Sequence, residues 1–249
     1  RAVRLSTMTV LGGVRYAGQV RKLERGVDVV IATPGRLEDL IAQGALALDD
    51  VTAVVLDEAD LMADMGFLPP VTRILEQVPP GQRMLFSATL DGEVGTLVDR
   101  FLDEPLLHDV DADQVTPDVT HHLFVVTMGS KRQVLRELVT DAGRTLLFAR
   151  TKTFAERLAA ELTESGIPAT ELHGNLRQGA RQRNLGAFAD GRVQVLVATD
   201  IAARGIHVDG VGLVVHVDPP VDPKAFLHRS GRTARAGAEG TVVTLATKQ

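Results

Sequence analysis

The sequence of 249 residues contains no cysteine, and none of its apolar runs is long. Without cysteine the protein has neither disulfides nor thiolate metal sites, and nothing contradicts a reducing compartment. No apolar run reaches the roughly 18 residues that a membrane-spanning helix needs. The first residues, RAVRLSTMTVLGG, lack the apolar region and cleavage site of a signal peptide, and they lack an initiator methionine. We therefore expect a truncated or processed end and a soluble, cytoplasmic protein without a membrane partner.

Charge is unevenly distributed along the chain, whose formal net charge is -5. Residues 1–110 carry 10 basic and 17 acidic side chains, whereas residues 111–249 carry 17 basic and 15 acidic ones. An acidic protein still binds a phosphate backbone when it has a local basic groove. Charge therefore excludes no class of partner here.

Short apolar runs alternate with segments of helical period, which indicates parallel βαβ units and an α/β fold. Strand-like runs include DVVIAT, AVVLDE, TLLFART and GLVVHVD, and helical segments include KRQVLRELVTDAG and FAERLAAELTESG. Because these strands are apolar throughout, we expect sheets that are covered on both faces. The stretch DVDADQVTPDVTHH has neither period. We place a linker there, at 111–118, between a first lobe at 1–110 and a second lobe at 119–249.

Polar or charged residues end several strands, as in VIATPGR, VVLDEAD, LFSAT, LLFART and VLVATD. In open parallel sheets, ligands bind at the carboxyl ends of the strands. A single strand end of this kind is as often a plain polar turn as part of a binding site. Several with these residue types favour one functional face on each lobe, and we expect the two faces to meet at a cleft.

Asp57 and Glu58 follow the apolar run of VVLDEADLM. Carboxylate oxygens suit Mg²⁺, and a neighbouring acid can orient one of the waters that this ion keeps. As a general base, Glu58 would contribute roughly 10²–10⁴ in rate. The alternative is an acidic helix N-terminus on the surface. The position at the end of an apolar strand favours a buried, catalytic pair.

The segment HRSGRTARAG places Arg229, Arg232 and Arg235 at intervals of three, which predicts one shared helix face. Guanidinium groups match phosphate oxygens, and an arginine finger contributes roughly 10³–10⁵ to phosphoryl transfer. The alternative, a solvated basic helix, is disfavoured by the interleaved glycines and by His228. TPGR at 33–36 and HGNLRQGARQRN also suit a phosphate backbone. However, TPGR is equally typical of a plain turn, and HGNLRQGARQRN is equally typical of an exposed helix.

Taken together and in order, these motifs resemble those of DEAD-box ATP-dependent RNA helicases of superfamily 2. They run from Gly12–Gly13 through TPGR, DEAD, SAT, LLFART, HGNLRQGAR and ATDIAARG to HRSGRTAR, and so cover essentially the whole chain. Several are short, whereas the ordered set is highly specific. The resemblance implies two RecA-like lobes with parallel sheets, ATP and Mg²⁺ as cofactors, and RNA as the partner. It also implies that each ligand tightens the other as ATP-driven closure opens a short duplex.

The resemblance implies a role for individual residues. Asp57 would hold Mg²⁺ and Glu58 would position the attacking water. Arg232 and Arg235 would reach the γ-phosphate, and Gly205 and His207 would lie beside the nucleotide. Contacts with the RNA backbone are implied for Gly13, Thr33, Gly35, Arg36, Thr151, Gly174, Gln178, Arg181 and Thr199. Coupling between the lobes is implied for Asp60, Ser87, Thr89, His228 and Arg229.

Two features depart from the family pattern. None of the five lysines follows a glycine, so the chain contains no Gly-Lys-Ser/Thr phosphate loop. We therefore expect the phosphate-loop strand to be absent and the first lobe to be incomplete, with an unpaired strand edge and an uncovered apolar face. His207 stands where the family usually has an acid near the ATP ribose, although a neutral histidine still hydrogen-bonds a hydroxyl.

Three functions stay open on these residues. The first is the core of an ATP-dependent RNA helicase, favoured by Glu58, Arg232 and Arg235. The second is a hydrolysis-deficient RNA-binding or scaffold module, favoured by the missing phosphate loop. The third is a DNA helicase or translocase of superfamily 2, although the HRSGRTAR motif resembles RNA helicases more closely.

Overall fold

The computed structural model describes residues 5–109, 119–203, 206, 208–234 and 238–247. The linker predicted at 111–118 lies outside the described residues. The chain divides into two compact units, residues 1–109 and residues 110–249, and each unit is described by itself.

The first unit alternates short strands and helices. Its elements are β1 (Thr7–Val10), α1 (Tyr16–Leu23), β2 (Val29–Ala32), α2 (Pro34–Ala42), β3 (Ala53–Leu56), α3 (Ala59–Asp64), α4 (Leu68–Gln77), β4 (Gln82–Leu85) and α5 (Gly92–Phe101). Strands β1 and β2 form one parallel pair, and β3 and β4 form another. Within the described residues, no ladder joins the two pairs.

Each of these small sheets is covered on one face only. The buried face of β1–β2 packs on α1 and α2, and that of β3–β4 packs on α3, α4 and α5. The opposite faces are open, because Ile31 of β2 is 57% exposed, Val55 of β3 is 54% exposed and Phe86 after β4 is 56% exposed. Uncovered apolar faces of this kind are what we expected of an incomplete first lobe.

The second unit contains a larger sheet. Its elements are β5 (Val119–Val126), α6 (Lys131–Thr140), β6 (Thr145–Phe148), α7 (Lys152–Glu164), β7 (Ala169–Leu172), α8 (Gln178–Ala189), β8 (Val195–Ala198), α9 (Asp200–Ala203), β9 (Leu213–His216), α10 (Pro223–Ser230) and β10 (Gly240–Thr247). The six strands pair in the order β5–β10–β9–β6–β8–β7, and every pair is parallel. The predicted α/β class with parallel sheets is confirmed.

Helices cover this sheet on both faces, as predicted from its apolar strands. Strands β6, β8 and β9 are buried along their whole length. Because side chains alternate along a strand, Leu147 and Val215 pack with α6 and α7, whereas Leu146 and Val214 pack with α8 and α9. The carboxyl ends of the central strands are thereby held on a rigid frame.

Capping residues fix where the helices at these strand ends begin. Thr151 Oγ1 accepts a hydrogen bond from the amide of Phe154 at the start of α7. Asp222 Oδ1 accepts one from the amide of Ala225 at the start of α10. Such caps satisfy amides that have no partner within the helix. The loops between strand and helix are therefore set by local sequence.

Candidate functional site

Two predicted RNA-binding motifs lie side by side in the first unit. Arg36 Nη1 donates a hydrogen bond of 3.1 Å to the carbonyl oxygen of Val14, in the loop that contains Gly13. Gly13 has φ of +72°, which glycine adopts without strain. The amide of Thr33 donates to the last carbonyl of β1 at 3.0 Å. The structure thus brings Gly13, Thr33, Gly35 and Arg36 to one end of the β1–β2 sheet.

The paired acids follow β3 directly. Asp57 Oδ1 accepts a hydrogen bond of 3.0 Å from the amide of Glu58. Glu58 adopts φ 49° and ψ 50°, a left-handed conformation that is costly for a residue with a Cβ atom. Glu58 is half-buried, but Asp57 is exposed. The expectation of a buried pair is therefore wrong for Asp57, because the β3–β4 sheet is covered on one face only.

The DEAD and SAT motifs are hydrogen-bonded to each other. The amide of Asp60 donates to Ser87 Oγ at 3.2 Å, and this hydroxyl donates to the carbonyl oxygen of Thr89 at 2.6 Å. Asp60 itself is buried. The three residues predicted to couple the lobes from this side are therefore neighbours within the first unit.

Three predicted RNA-binding residues of the second unit converge at the carboxyl ends of neighbouring strands. Thr151 follows β6, Thr199 follows β8 and Gly174 follows β7, and these strands are adjacent in the sheet. The amide of Thr199 donates to the carbonyl oxygen of Leu172 in β7 at 3.1 Å. Lys152 Nζ, beside Thr151, lies 2.8 Å from Asn175 Oδ1, beside Gly174. Residues that are distant in sequence thus form one surface.

Helix α8 adds a basic residue to the same edge. Gln178 is its first residue, and Arg181 lies one turn further on. Arg181 Nη2 donates to the carbonyl oxygen of Ala202 in α9 at 2.8 Å. Burial lowers the pKa of Arg181, although arginine stays charged in proteins. The edge therefore carries a fixed positive charge suited to phosphate.

Arg229 of α10 is buried within the second unit and is 4% exposed. Its Nε and Nη2 donate to the two carboxylate oxygens of Asp200 at 2.6 Å and 2.8 Å. Its Nη1 donates to the carbonyl oxygen of Asp218 at 2.7 Å, and its guanidinium lies 5.2 Å from the Phe148 ring centroid. These contacts anchor α10 to Asp200 and to the segment that follows β9. The predicted contact of Arg229 with the first lobe stays a prediction.

Arg232 lies beyond the end of α10. It is half-buried, with Nη1 donating to the carbonyl oxygen of Ile206 at 2.8 Å. The shared helix face predicted for the arginines is wrong, because α10 ends at Ser230 with Gly231 at its C-cap. Arg232 and His228 nevertheless line one small cavity together with Phe148, Asp200 and Arg229. Arg232 is thus placed beside the strand ends without belonging to the helix.

His216 is a fully buried titratable residue that the sequence did not single out. Its Nδ1 lies 2.9 Å from Thr244 Oγ1, and its ring meets Phe148 and Phe226 edge to face. Burial, together with the positive charge of Arg229, lowers the pKa of His216 to about 4. The imidazole is therefore uncharged at neutral pH, although the charges of Arg229 and Asp200 both act on it.

Gly205, His207 and Arg235 lie outside the described residues, and their predicted nucleotide contacts stay predictions. Within the described ranges, no group of three or more His, Asp or Glu side chains is arranged to hold a metal ion. None of the helices in the described part of the chain has the length and hydropathy of a membrane span.

Sequence reasoning also missed Lys131 and Asp218. Asp218 follows the apolar strand β9 in GLVVHVD, so the signal that identified the other strand ends was present there. Its partner Lys131 was unrecognisable, because the two residues are 87 positions apart. Their side chains meet at the same edge as the predicted site.

Comparison with known families matches both units. The family model "DEAD/DEAH box helicase" matches residues 1–97, and the model "Helicase conserved C-terminal domain" matches residues 130–237. The chloroplastic DEAD-box ATP-dependent RNA helicase 3B of Zea mays is 46% identical over 99% of this chain. The ATP-dependent RNA helicase RhlB of Pseudomonas syringae pv. tomato is 41% identical over 97% of it.

A solved structure extends the match to the fold. Dbp5 of S. cerevisiae, bound to RNA and ADP BeF3, superposes with a TM-score of 0.86 at 27% identity and covers 99% of this chain. The RecA-like lobes implied by the sequence therefore agree with this neighbour. The chain spans 34% of the maize protein, 63% of the Pseudomonas protein and 65% of the Dbp5 chain.

Proposed function

This chain belongs to the DEAD-box family of RNA helicases, and we propose that it supplies the RNA-binding and hydrolytic residues of an ATP-dependent helicase core. One observation carries the proposal. Thr151, Gly174 and Thr199, which belong to separate motifs, converge at the carboxyl ends of three neighbouring strands. Ligands of parallel sheets bind at such an edge.

The chemistry of this edge favours an RNA backbone. It offers hydroxyls from Thr151 and Thr199, a side chain-free approach at Gly174 and the charge of Arg181. These groups recognise phosphates and ribose hydroxyls, so binding is independent of base sequence. In the first unit, Gly13, Thr33, Gly35 and Arg36 would contact the same strand of RNA. The structural neighbour Dbp5 holds RNA in its solved complex.

The acids and arginines fit nucleotide hydrolysis. Asp57 would hold Mg²⁺, since its exposed carboxylate is a hard oxygen ligand. Glu58 would orient the attacking water, and Arg232 with Arg235 would stabilise charge on the γ-phosphate. When bound, Mg²⁺ neutralises the charge that develops on the phosphates. Asp60, Ser87 and Thr89 would transmit the nucleotide state, and Gly205 and His207 would line the nucleotide.

As a helicase core, this chain would unwind short RNA duplexes through ATP-driven closure. Each ligand would then tighten the other, because both favour one state of the protein. A cytoplasmic location stays a prediction, since the relatives include a chloroplastic helicase.

One observation favours a second candidate, a hydrolysis-deficient RNA-binding module. No lysine of the chain follows a glycine, so a phosphate loop of the usual Gly-Lys-Ser/Thr kind is not encoded in it. For the chain as it stands, RNA binding without turnover is the corresponding function.

RNA-stimulated ATP hydrolysis separates the two candidates. The chain is assayed beside Glu58→Gln and Arg232→Ala, each with single-stranded RNA. Turnover that both substitutions abolish supports the helicase core and shows that the phosphates are held without a lysine loop. Tight RNA binding without turnover supports the second candidate. A folded chain that binds no RNA contradicts both.

A further inference from the structure

Asp218 joins three segments of the second unit. Its Oδ1 accepts a hydrogen bond of 3.0 Å from Lys131 Nζ at the start of α6, and its Oδ2 accepts one of 2.9 Å from the amide of Arg150 in the loop after β6. Its carbonyl oxygen accepts a third, of 2.7 Å, from Arg229 Nη1 in α10. One residue thus fixes the positions of a strand end and of two helices.

Two of these segments carry groups of the proposed site. Arg150 immediately precedes Thr151, which caps α7 and is one of the proposed RNA contacts. Arg229 lies in the helix that precedes Arg232. A shift of Asp218 would therefore move a proposed RNA contact and a proposed phosphate contact together.

The Asp218 backbone is stiff for reasons of sequence. Pro219 and Pro220 follow it, and a residue before proline is confined to extended conformations. The amides of Val217 and Asp218 also donate to the carbonyl oxygen of Phe148, at 3.0 Å and 3.4 Å. Asp218 can accordingly hold the loop after β6 and helix α10 in fixed positions.

Lys131 orients the Asp218 carboxylate. The lysine side chain is 10% exposed and the aspartate side chain 21% exposed, so the pair is largely shielded from water. Lys131 Nζ also lies 6.0 Å from the centroid of the Phe154 ring in α7. With one carboxylate oxygen held by the ammonium group, the other is directed at the Arg150 amide.

We propose that Lys131 and Asp218 are positioning residues, which hold Thr151 and α10 in the geometry that binds RNA. They would act through Thr151 and α10 rather than through a contact of their own with RNA. The inference rests on the proposed function, because Thr151 is taken as an RNA contact. It predicts that the chain stays folded but binds RNA more weakly when either side chain is replaced by an uncharged one, as in Lys131→Met or Asp218→Asn.

The test measures single-stranded RNA affinity by fluorescence anisotropy for the whole chain and five variants. Lys131→Met and Asp218→Asn are each expected to weaken binding by about tenfold. Their double variant is expected to be no weaker than either, because both act through one contact. Lys131→Arg keeps the charge and is expected to restore binding. Arg136→Met removes a charge from an exposed position of the same helix and is expected to change nothing.

A spectroscopic measurement separates positioning from general damage. In a ¹⁵N-resolved spectrum, the Arg150 amide proton donates to a carboxylate, so its resonance is shifted downfield. Lys131→Met and Asp218→Asn are expected to move this resonance while circular dichroism shows a folded chain at the assay temperature. An unmoved Arg150 resonance, or RNA affinity equal to that of the unmodified chain, would overturn the inference. An unmodified chain that binds no RNA would overturn the proposed function and the inference with it.

Discussion

His216 shows how burial sets the charge of a single residue. The pKa of His216 is about 4 in the folded chain, against 6.5 as the ordinary value. Between about pH 4 and pH 6.5, His216 is mostly protonated in the unfolded chain but mostly neutral in the folded chain. The stability that this residue contributes is therefore complete above about pH 6.5 and is lost as the pH falls toward 4.

We expect the free energy of unfolding to fall by roughly 2–3 kcal/mol between about pH 7.5 and about pH 4.5 on account of His216 alone. Urea denaturation at both pH values measures it, with His216→Gln as the chain that lacks this titration. His122→Gln, which removes an exposed histidine, should keep the full loss. An equal pH dependence in the chain and in His216→Gln would show that the imidazole is not buried in its neutral form.

Glu58 shows the cost of backbone conformation at one residue. Because its φ is 49°, Glu58→Gly should be about 1 kcal/mol more stable than Glu58→Ala. At Glu137, an exposed position inside α6, the order should reverse by about the same amount, since glycine weakens a helix. Chemical denaturation of the four variants tests both signs. The same order at both positions would rule out a left-handed Glu58.

Secondary-structure elements were predictable where their apolar pattern was strong. Strands such as β6, β8 and β9 stand out because at least three of the four side chains in each are apolar. Strand β7 did not, because Ala169–Leu172 is short and contains Thr170 and Glu171, and only its pairing with β8 makes it a strand. The end of α10 was missed because the arginine spacing continues past Gly231 while the helix does not. Long-range partners such as Lys131 and Asp218 were invisible, since sequence spacing carries no record of a contact across the sheet.

The ion pair between Asp200 and Arg229 joins α9 to α10. Its loss should lower the free energy of unfolding of the whole second unit. Asp200→Asn leaves the guanidinium of Arg229 buried without its counter-ion, and we expect a loss of about 3 kcal/mol in the free energy of unfolding. Glu161→Gln, which breaks the more exposed pairs with Arg157 and Arg132, should cost less than about 1 kcal/mol. Equal costs in urea denaturation would mean that Arg229 is solvated rather than buried.

At the scale of the whole molecule, the two units differ in how well their sheets are covered. The second unit has helices on both faces of its sheet, whereas the first unit leaves one face of each small sheet open. We expect residues 119–249, prepared alone, to unfold in one cooperative transition. Residues 5–109 should unfold without a sharp transition, because they bury too little apolar surface. A cooperative first unit beside a non-cooperative second one would contradict this assignment.

The carboxyl-end surface of the second unit, with the motifs of the first, is proposed to bind the backbone of RNA. The most direct measurement compares the affinity of the chain for a single-stranded RNA and for DNA of the same sequence, by fluorescence anisotropy. Because ribose hydroxyls distinguish the two polymers, RNA should bind more than about tenfold tighter. Equal affinities would favour a DNA helicase, and no binding to either polymer would show that this surface does not bind nucleic acid.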